Sequence, residues 1–374
     1  MSFIHDKGNP ISPVWVVVDK PFESDISKGY LYSGPMGWMF DKMMQEAGIN
    51  DYYVTCWRPD TDHPESFKNI DGALNQYKPP IIITLGAIGW KLLPQLTPTR
   101  RSKKFNPDED SELGKYAGSI LTSKYLNYPH YIIPTYSPTD IVKQWKMRDI
   151  VINCDLGKAA SELEYWKTHA FNLEPLPERV HKINFDCFDE LLLDIDNMLS
   201  CSIVSNDIET IYPKAPTKTQ PSQFYKILPG YPITASLASS ATFSISFDFF
   251  REKTSETREL WKHIAKLLWE VPSLGQNFFN FDANFYESLG FRIDLSRCRD
   301  TLIQHHLLWA ELKHTLQFQT RQYTREPYYK DEGHGWNIKD MRQLKIYNCK
   351  DTMVTYEIYE KQVEELKARG LYDN

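Results

Sequence analysis

The chain has 374 residues, with 43 Lys and Arg against 49 Asp and Glu, a net charge of −6, 41% hydrophobic residues and 14% aromatic ones. That length predicts two domains rather than one core, and the aromatic content excludes a disordered chain. The negative balance excludes a protein that coats nucleic acid through bulk charge, although a local basic groove stays open.

In chain order, residues 13–155 alternate short apolar runs with amphipathic stretches, the pattern of an α/β layer fold with a mainly parallel sheet. Strands are predicted at 14–18, 52–56, 81–85 and 131–134, and helices at 37–47, closed by Gly48, and from 88 to 93. A helical stretch over 141–166 leads into 173–179, whose two prolines make a stiff connector. Beyond it, a strand and helix over 182–199 precede a strand at 202–205, which ends in Asn206-Asp207-Ile208-Glu209-Thr210. A Pro/Lys/Gln/Thr-rich stretch, 212–232, reads as a surface loop. A strand pair follows over 233–249, then helices near 256–269, 282–289, 301–309 and 339–368. Apolar runs such as 15–18 are too short to cross a bilayer, and the start lacks a cationic lead into an apolar stretch, so a cytoplasmic protein with no membrane partner is expected. The six cysteines show no zinc-site or disulfide-framework spacing and read as buried thiols.

Three short segments share one chemical logic. Asp207 and Glu209 are two apart in a strand and face one side; Asp282 opens a helix after Asn277-Phe-Phe-Asn-Phe; Tyr347 and Asp351 are four apart on a late helix and share a face. Four carboxylates can thus converge, and their mutual repulsion calls for divalent cations, Mg²⁺ or Mn²⁺ by the hardness of oxygen ligands. A pair of such ions about 4 Å apart can clamp the attacking and leaving oxygens of a phosphodiester.

In this order and at these separations, the segments resemble the proofreading 3′-5′ exonuclease domain of DNA polymerases, the DEDD group of the ribonuclease H-like fold, over residues 183–374. Asp207 and Glu209 match its first motif, Asp282 its second and Asp351 its third, and Tyr347 selects the tyrosine subgroup; Gly275-Gln276-Asn277 and Arg299-Asp300-Thr301 also look like this family. The resemblance implies that Asp207 binds both metals, that Glu209, Asp282 and Asp351 complete the shell directly or through water, and that Tyr347 orients the attacking water. It places Asn277 near the terminal nucleotide. Phe281, with Phe278 and Phe279, supplies aromatic content near the proposed site on which an unpaired base can stack. His305 and His306 read as packing residues on an apolar helix.

The first half resembles the uracil-DNA glycosylase superfamily, especially its family 4 members. The residues that carry this are Tyr32-Ser-Gly-Pro-Met-Gly37, Val54-Thr-Cys-Trp-Arg-Pro59, Pro80-Ile-Ile-Ile-Thr-Leu-Gly86 and Ile133-Pro-Thr-Tyr-Ser-Pro138. By that resemblance Tyr32 takes the base-stacking position and Asp19 that of the water-handling acid. Ser137, however, stands in the usual histidine place, and the asparagine expected before Cys56 is missing, so base excision is not expected. Only Cys56 and Cys154 lie in residues 1–172, so no iron–sulfur cluster is expected. Arg100, Arg101, Lys103 and Lys104 form a basic loop suited to nucleic-acid phosphates.

The sequence therefore reads as a two-domain α/β protein: a three-layer glycosylase-like domain (1–172), a linker (173–182) and a ribonuclease H-like exonuclease domain (183–374) acting on single-stranded or frayed 3′ ends of DNA. The same pair of modules resembles the front of certain bacteriophage DNA polymerases, which implies a replication or proofreading role; a separate proofreading subunit with a DNA polymerase in trans, an independent nuclease and a piece of a longer polymerase all stay open. Two other readings stay open, uracil excision retained in the first domain and a non-enzymatic DNA-binding module that accompanies a polymerase.

Overall fold

The computed structural model describes residues 4–57, 69–86, 112–211, 231–333 and 341–372. The expected helix at 88–93, the basic loop and nearly all of the stretch at 212–232 lie outside the described residues. Chain contacts divide the protein into two units, one comprising Met1–Leu176 with Arg325–Tyr328, the other Pro177–Thr324 with Tyr329–Asn374. Both are α/β.

In the first unit, strands β1 (Val14–Val18), β2 (Tyr53–Cys56), β3 (Ile81–Leu85) and β4 (Tyr131–Thr135) form a parallel sheet in the order β2-β1-β3-β4. Every residue of these strands is buried, which is why they read as continuous apolar runs rather than alternating ones. The stretch expected as one helix over 141–166 is broken into Pro138–Lys143, Met147–Ile150, a π-helical segment Val151–Leu156, and Gly157–Thr168. The π segment seats the fully buried Asp155, which accepts a hydrogen bond from Thr135 Oγ1 on β4 at 2.5 Å.

The second unit is built on a mixed sheet of β5 (Val180–Lys182), β6 (Val204–Ile211), β7 (Tyr231–Ser240), β8 (Phe243–Asp248), β9 (Ser273–Gly275) and β10 (Arg299–Asp300), ordered β10-β9-β6-β7-β8-β5. Only β7 runs antiparallel to its neighbours. The sequence ends the strand at Ser205, but the structure carries it through Ile211. Pairing with β7 continues past Asp207 and Glu209 to a register shift after Glu209, so partner hydrogen bonds override the low strand preference of acidic residues. The 27-residue helix Arg342–Ala368 buries Leu344, Met353, Val354, Ile358 and Leu366 within this unit. Helix Leu316–Tyr323, which the sequence reading did not identify, packs its Leu316 with Val354 and Ile358.

Candidate metal centre

β6 projects Asp207 and Glu209 to one side, and the long helix brings Asp351 opposite them. One carboxylate oxygen from each of the three lies within 4.8 Å of the others. Asp351 is 5% exposed, while Asp207 and Glu209 are half-buried. Loss of solvent together with the charge of Asp351 raises Asp207 well above the usual carboxylate range, and loss of solvent with the charges of Asp207 and Asp351 does the same for Glu209; Lys330 pulls both back down.

Asp282 lies beside this trio without being part of it. Its Oδ1 accepts the Ile208 backbone N–H at 3.0 Å, a donor beyond the level at which β9 pairs with β6, at Val204 and Ser205. The first residue of helix Asp282–Ser288 is thereby tied to the strand between the two carboxylates. Asp282 is raised by burial and then by the charge of Asp207, so the two sense each other closely.

The turn before Asp282 is braced from a third segment. Asn277 adopts the left-handed conformation (φ 61°), and Asp300 accepts its N–H at 2.9 Å, the N–H of Phe279 at 3.3 Å and that of Leu302 at 2.9 Å. Asp300 therefore caps helix Thr301–Leu308 and holds the Asn277 turn at once. Phe278 is core; Phe279 and Phe281 are half-buried, with Phe281 stacked edge-on against Phe285 at 5.0 Å.

Two residues of the centre went unrecognised in the sequence. Lys330 Nζ donates to both oxygens of Asp351 at 2.7 Å and to Tyr347 Oη at 3.0 Å. Nothing in its spacing signals this, because it opens a four-residue 3₁₀ helix, Lys330–Gly333, too short to show a pattern in the sequence. Asn348, wholly buried, donates its side-chain amide to Asp207 Oδ2; only its adjacency to Tyr347 could have marked it. Gly333 packs against the Tyr347 ring so closely that an added Cβ would lie 2.9 Å from Cζ, which fixes the phenol from above. Burial and the nearby carboxylates push the Tyr347 hydroxyl far up, so it stays protonated.

The donor set fits a hard divalent cation. All ligand atoms are carboxylate oxygens, they are already gathered, and three such charges face the single ammonium of Lys330 among the described residues around them. His305 is wholly buried and bonded through Nδ1 to His314 at 2.7 Å, while His306 is exposed. Of the thiols, Cys56, Cys154, Cys298 and Cys349 are buried, Cys201 is intermediate and Cys187 is exposed, the last a departure from the expected burial because it stands at the free N-terminal end of helix Phe188–Asn197.

In the first unit, Tyr32 is buried in packing and Ser137 caps a helix. Tyr32 is 2% exposed with its ring against Phe22 and Phe40, each 5.4 Å away, so protein already covers the faces a flipped base would need. Ser137 caps helix Pro138–Lys143, accepting from Asp140 N and donating to Asp140 Oδ2 at 2.5 Å. Arg100, Arg101, Lys103 and Lys104 lie outside the described residues.

Among the described residues, no helix is long and apolar enough to cross a membrane. Residues 5–166 match the family model of the uracil DNA glycosylase superfamily. No curated protein matches the chain. Among solved structures, the catalytic core of RRP6 from Trypanosoma brucei is similar over 55% of this chain and 54% of its own, at 12% identity and a TM-score of 0.40, so the chain spans about half the length of that core. The Nibbler EXO domain of Aedes aegypti matches over 53% and 94% at 13% identity and TM-score 0.38. The RNase D–GMP complex of Trypanosoma brucei matches over 51% and 64% at 14% identity and TM-score 0.37. Residues 5–166 are thus similar to the uracil DNA glycosylase superfamily, and the second α/β unit carries the carboxylate cluster.

Proposed function

We propose that the protein is a metal-dependent 3′-5′ exonuclease that hydrolyses the terminal phosphodiester of single-stranded or frayed DNA, with the second unit as its catalytic domain. The observation that carries this reading is the convergence of Asp207, Glu209 and Asp351, with Asp282 tied to the same strand. Such a cluster is strongly disfavoured unless cations neutralise it.

Two divalent ions, Mg²⁺ or Mn²⁺, would be held by Asp207, Glu209 and Asp351, with Asp282 completing the shell directly or through water. When bound, they supply a more acidic attacking water and neutralise charge building on the scissile phosphate. Tyr347 orients that water. Its phenol stays protonated, and its oxygen is fixed by Lys330 and by the close face of Gly333. Asn277, in its strained turn, and the half-buried Phe279 and Phe281 flank the place of the terminal nucleotide, where stacking contributes about 1–3 kcal/mol per base. The first unit holds nucleic acid, with the basic loop contacting phosphates, and a replication or proofreading role is part of the same reading.

The test is digestion of 3′-labelled DNA and RNA, single-stranded and blunt duplex, with and without Mg²⁺. Expected are Mg²⁺-dependent release of mononucleotides from single-stranded DNA, slower cutting of blunt ends, and a loss of at least about a hundredfold in Asp207→Ala. Metal-independent cutting, or an active Asp207→Ala, overturns the assignment.

The match of residues 5–166 to the glycosylase superfamily favours a second reading, uracil excision in the first unit. The capping role of Ser137 and the covered ring of Tyr32 speak against it. Release of free uracil from labelled DNA in the presence of a chelator would establish it.

A further inference from the structure

Between the sheet of the second unit and helix Arg342–Ala368 lies a layer of polar side chains where an apolar core is the ordinary solution. Thr234 and Ser236 on β7, Ser244 and Ser246 on β8, and Asn348 and Thr352 on the helix are all wholly buried. They are mutually satisfied. Ser246 Oγ lies 3.0 Å from Thr234 Oγ1, 3.1 Å from the Ala235 carbonyl and 3.4 Å from Asn348 Oδ1, so its one proton is shared among these alternative acceptors, and Ser236 Oγ donates to the Asn348 carbonyl at 2.9 Å. Ser244 and Thr352 pair their hydroxyls at 2.8 Å.

The layer converges on Asn348. Its Oδ1 lies 3.4 Å from the Ser246 hydroxyl, and its Nδ2 points the other way, at Asp207 Oδ2. The opposite orientation would set the amide oxygen against the carboxylate oxygen, whereas this one gives Asp207 a donor. Small side chains on β7 and β8 would be enough to let the helix pack closely, but alanines would serve that purpose without burying hydroxyls, which cost free energy unless bonded.

We infer that Asn348 is a positioning residue for the metal centre: anchored by Ser246, it orients the Asp207 carboxylate and keeps one of its oxygens engaged, so that the other is presented toward Glu209 and Asp351. This rests on the metal-centre reading above. Partners behind a metal ligand typically change metal affinity or activity by about 10–100-fold when removed.

The experiment measures Mn²⁺ affinity of the full chain by electron paramagnetic resonance, together with thermal stability and the Mg²⁺ dependence of kcat, for the parent, Asn348→Ala and Ser246→Ala. In Asn348→Ala, Mn²⁺ affinity should fall about tenfold. The Mg²⁺ concentration for half-maximal rate should rise in parallel, with kcat largely recovered at saturating metal. Ser246→Ala, which leaves the amide in place but unanchored, should move both in the same direction by a smaller factor, and it stands in should Asn348→Ala not fold. Lowered thermal stability with unchanged Mn²⁺ affinity in the folded variants would make the layer purely structural and overturn the inference alone. A parent protein that binds no Mn²⁺ overturns the inference and the metal-centre reading together.

Discussion

The ammonium of Lys330 lies 2.7 Å from both carboxylate oxygens of Asp351, and with the Lys330 side chain 20% exposed and that of Asp351 7% exposed the pair is largely removed from water. A side-chain cation thus stands at the deepest carboxylate of the cluster, on the same oxygens a divalent ion would use. Lys330→Met keeps the aliphatic stem and deletes the charge. The metal-free protein should lose about 1–3 kcal/mol of stability through the uncompensated carboxylate, and the gain in melting temperature on adding Mn²⁺ should be larger than in the parent. Calorimetry with and without Mn²⁺ checks both; equal gains would mean that lysine and metal do not share Asp351.

Asp282 both bonds the Ile208 N–H and belongs to the proposed metal shell, and substitution separates these roles. Asp282→Asn retains an acceptor for Ile208 without the charge, whereas Asp282→Ala removes both. Stability should be near that of the parent in the asparagine variant and lower by about 1–3 kcal/mol in the alanine variant, while nuclease activity should collapse in both. An active Asp282→Asn would reduce Asp282 to a brace.

Tyr347→Phe removes the hydroxyl that accepts from Lys330 and leaves the carboxylates in place. The expected result is a fall in kcat of up to about a hundredfold, the cost of a poorly placed nucleophile, with Mn²⁺ affinity within about threefold of the parent by the same argument. Loss of metal binding in this variant would show that the hydroxyl holds the cluster rather than the water.

The raised carboxylates give stability an unusual pH dependence. Asp207 and Glu209 hold protons more tightly in the folded chain than in the unfolded one, where such groups titrate near about 4. The folded state therefore binds more protons between the two ranges. This contribution is fully present below the unfolded values and is lost as pH rises through the elevated folded ones. In chelator, the melting temperature of the parent should fall from pH 5.5 to 8.5 relative to that of Asp207→Asn, by about a few degrees, and Mg²⁺ should cancel the difference at the alkaline end. A parent that gains on the variant as pH rises would contradict the sign.

Sequence alone determined the parallel core of the first unit, because strands buried on both faces must be continuous apolar runs, as in Val14–Val18 and Ile81–Leu85. It also determined that Asp207 and Glu209 share a face and that Tyr347 and Asp351 share another, since those relationships follow from the two- and 3.6-residue periods of local structure. Tertiary structure decided what periodicity does not encode. Strand β6 continues through its acidic residues because β7 supplies the pairing; Asp282 is turned onto a backbone donor rather than into the trio; Tyr32 is spent in packing between Phe22 and Phe40. Lys330 and Asn348 enter the centre for the same reason. One is carried there by a single short 3₁₀ helix and the other lies against a buried hydroxyl layer from two neighbouring strands, and the partner of a side chain held by long-range contacts has no local signature to read.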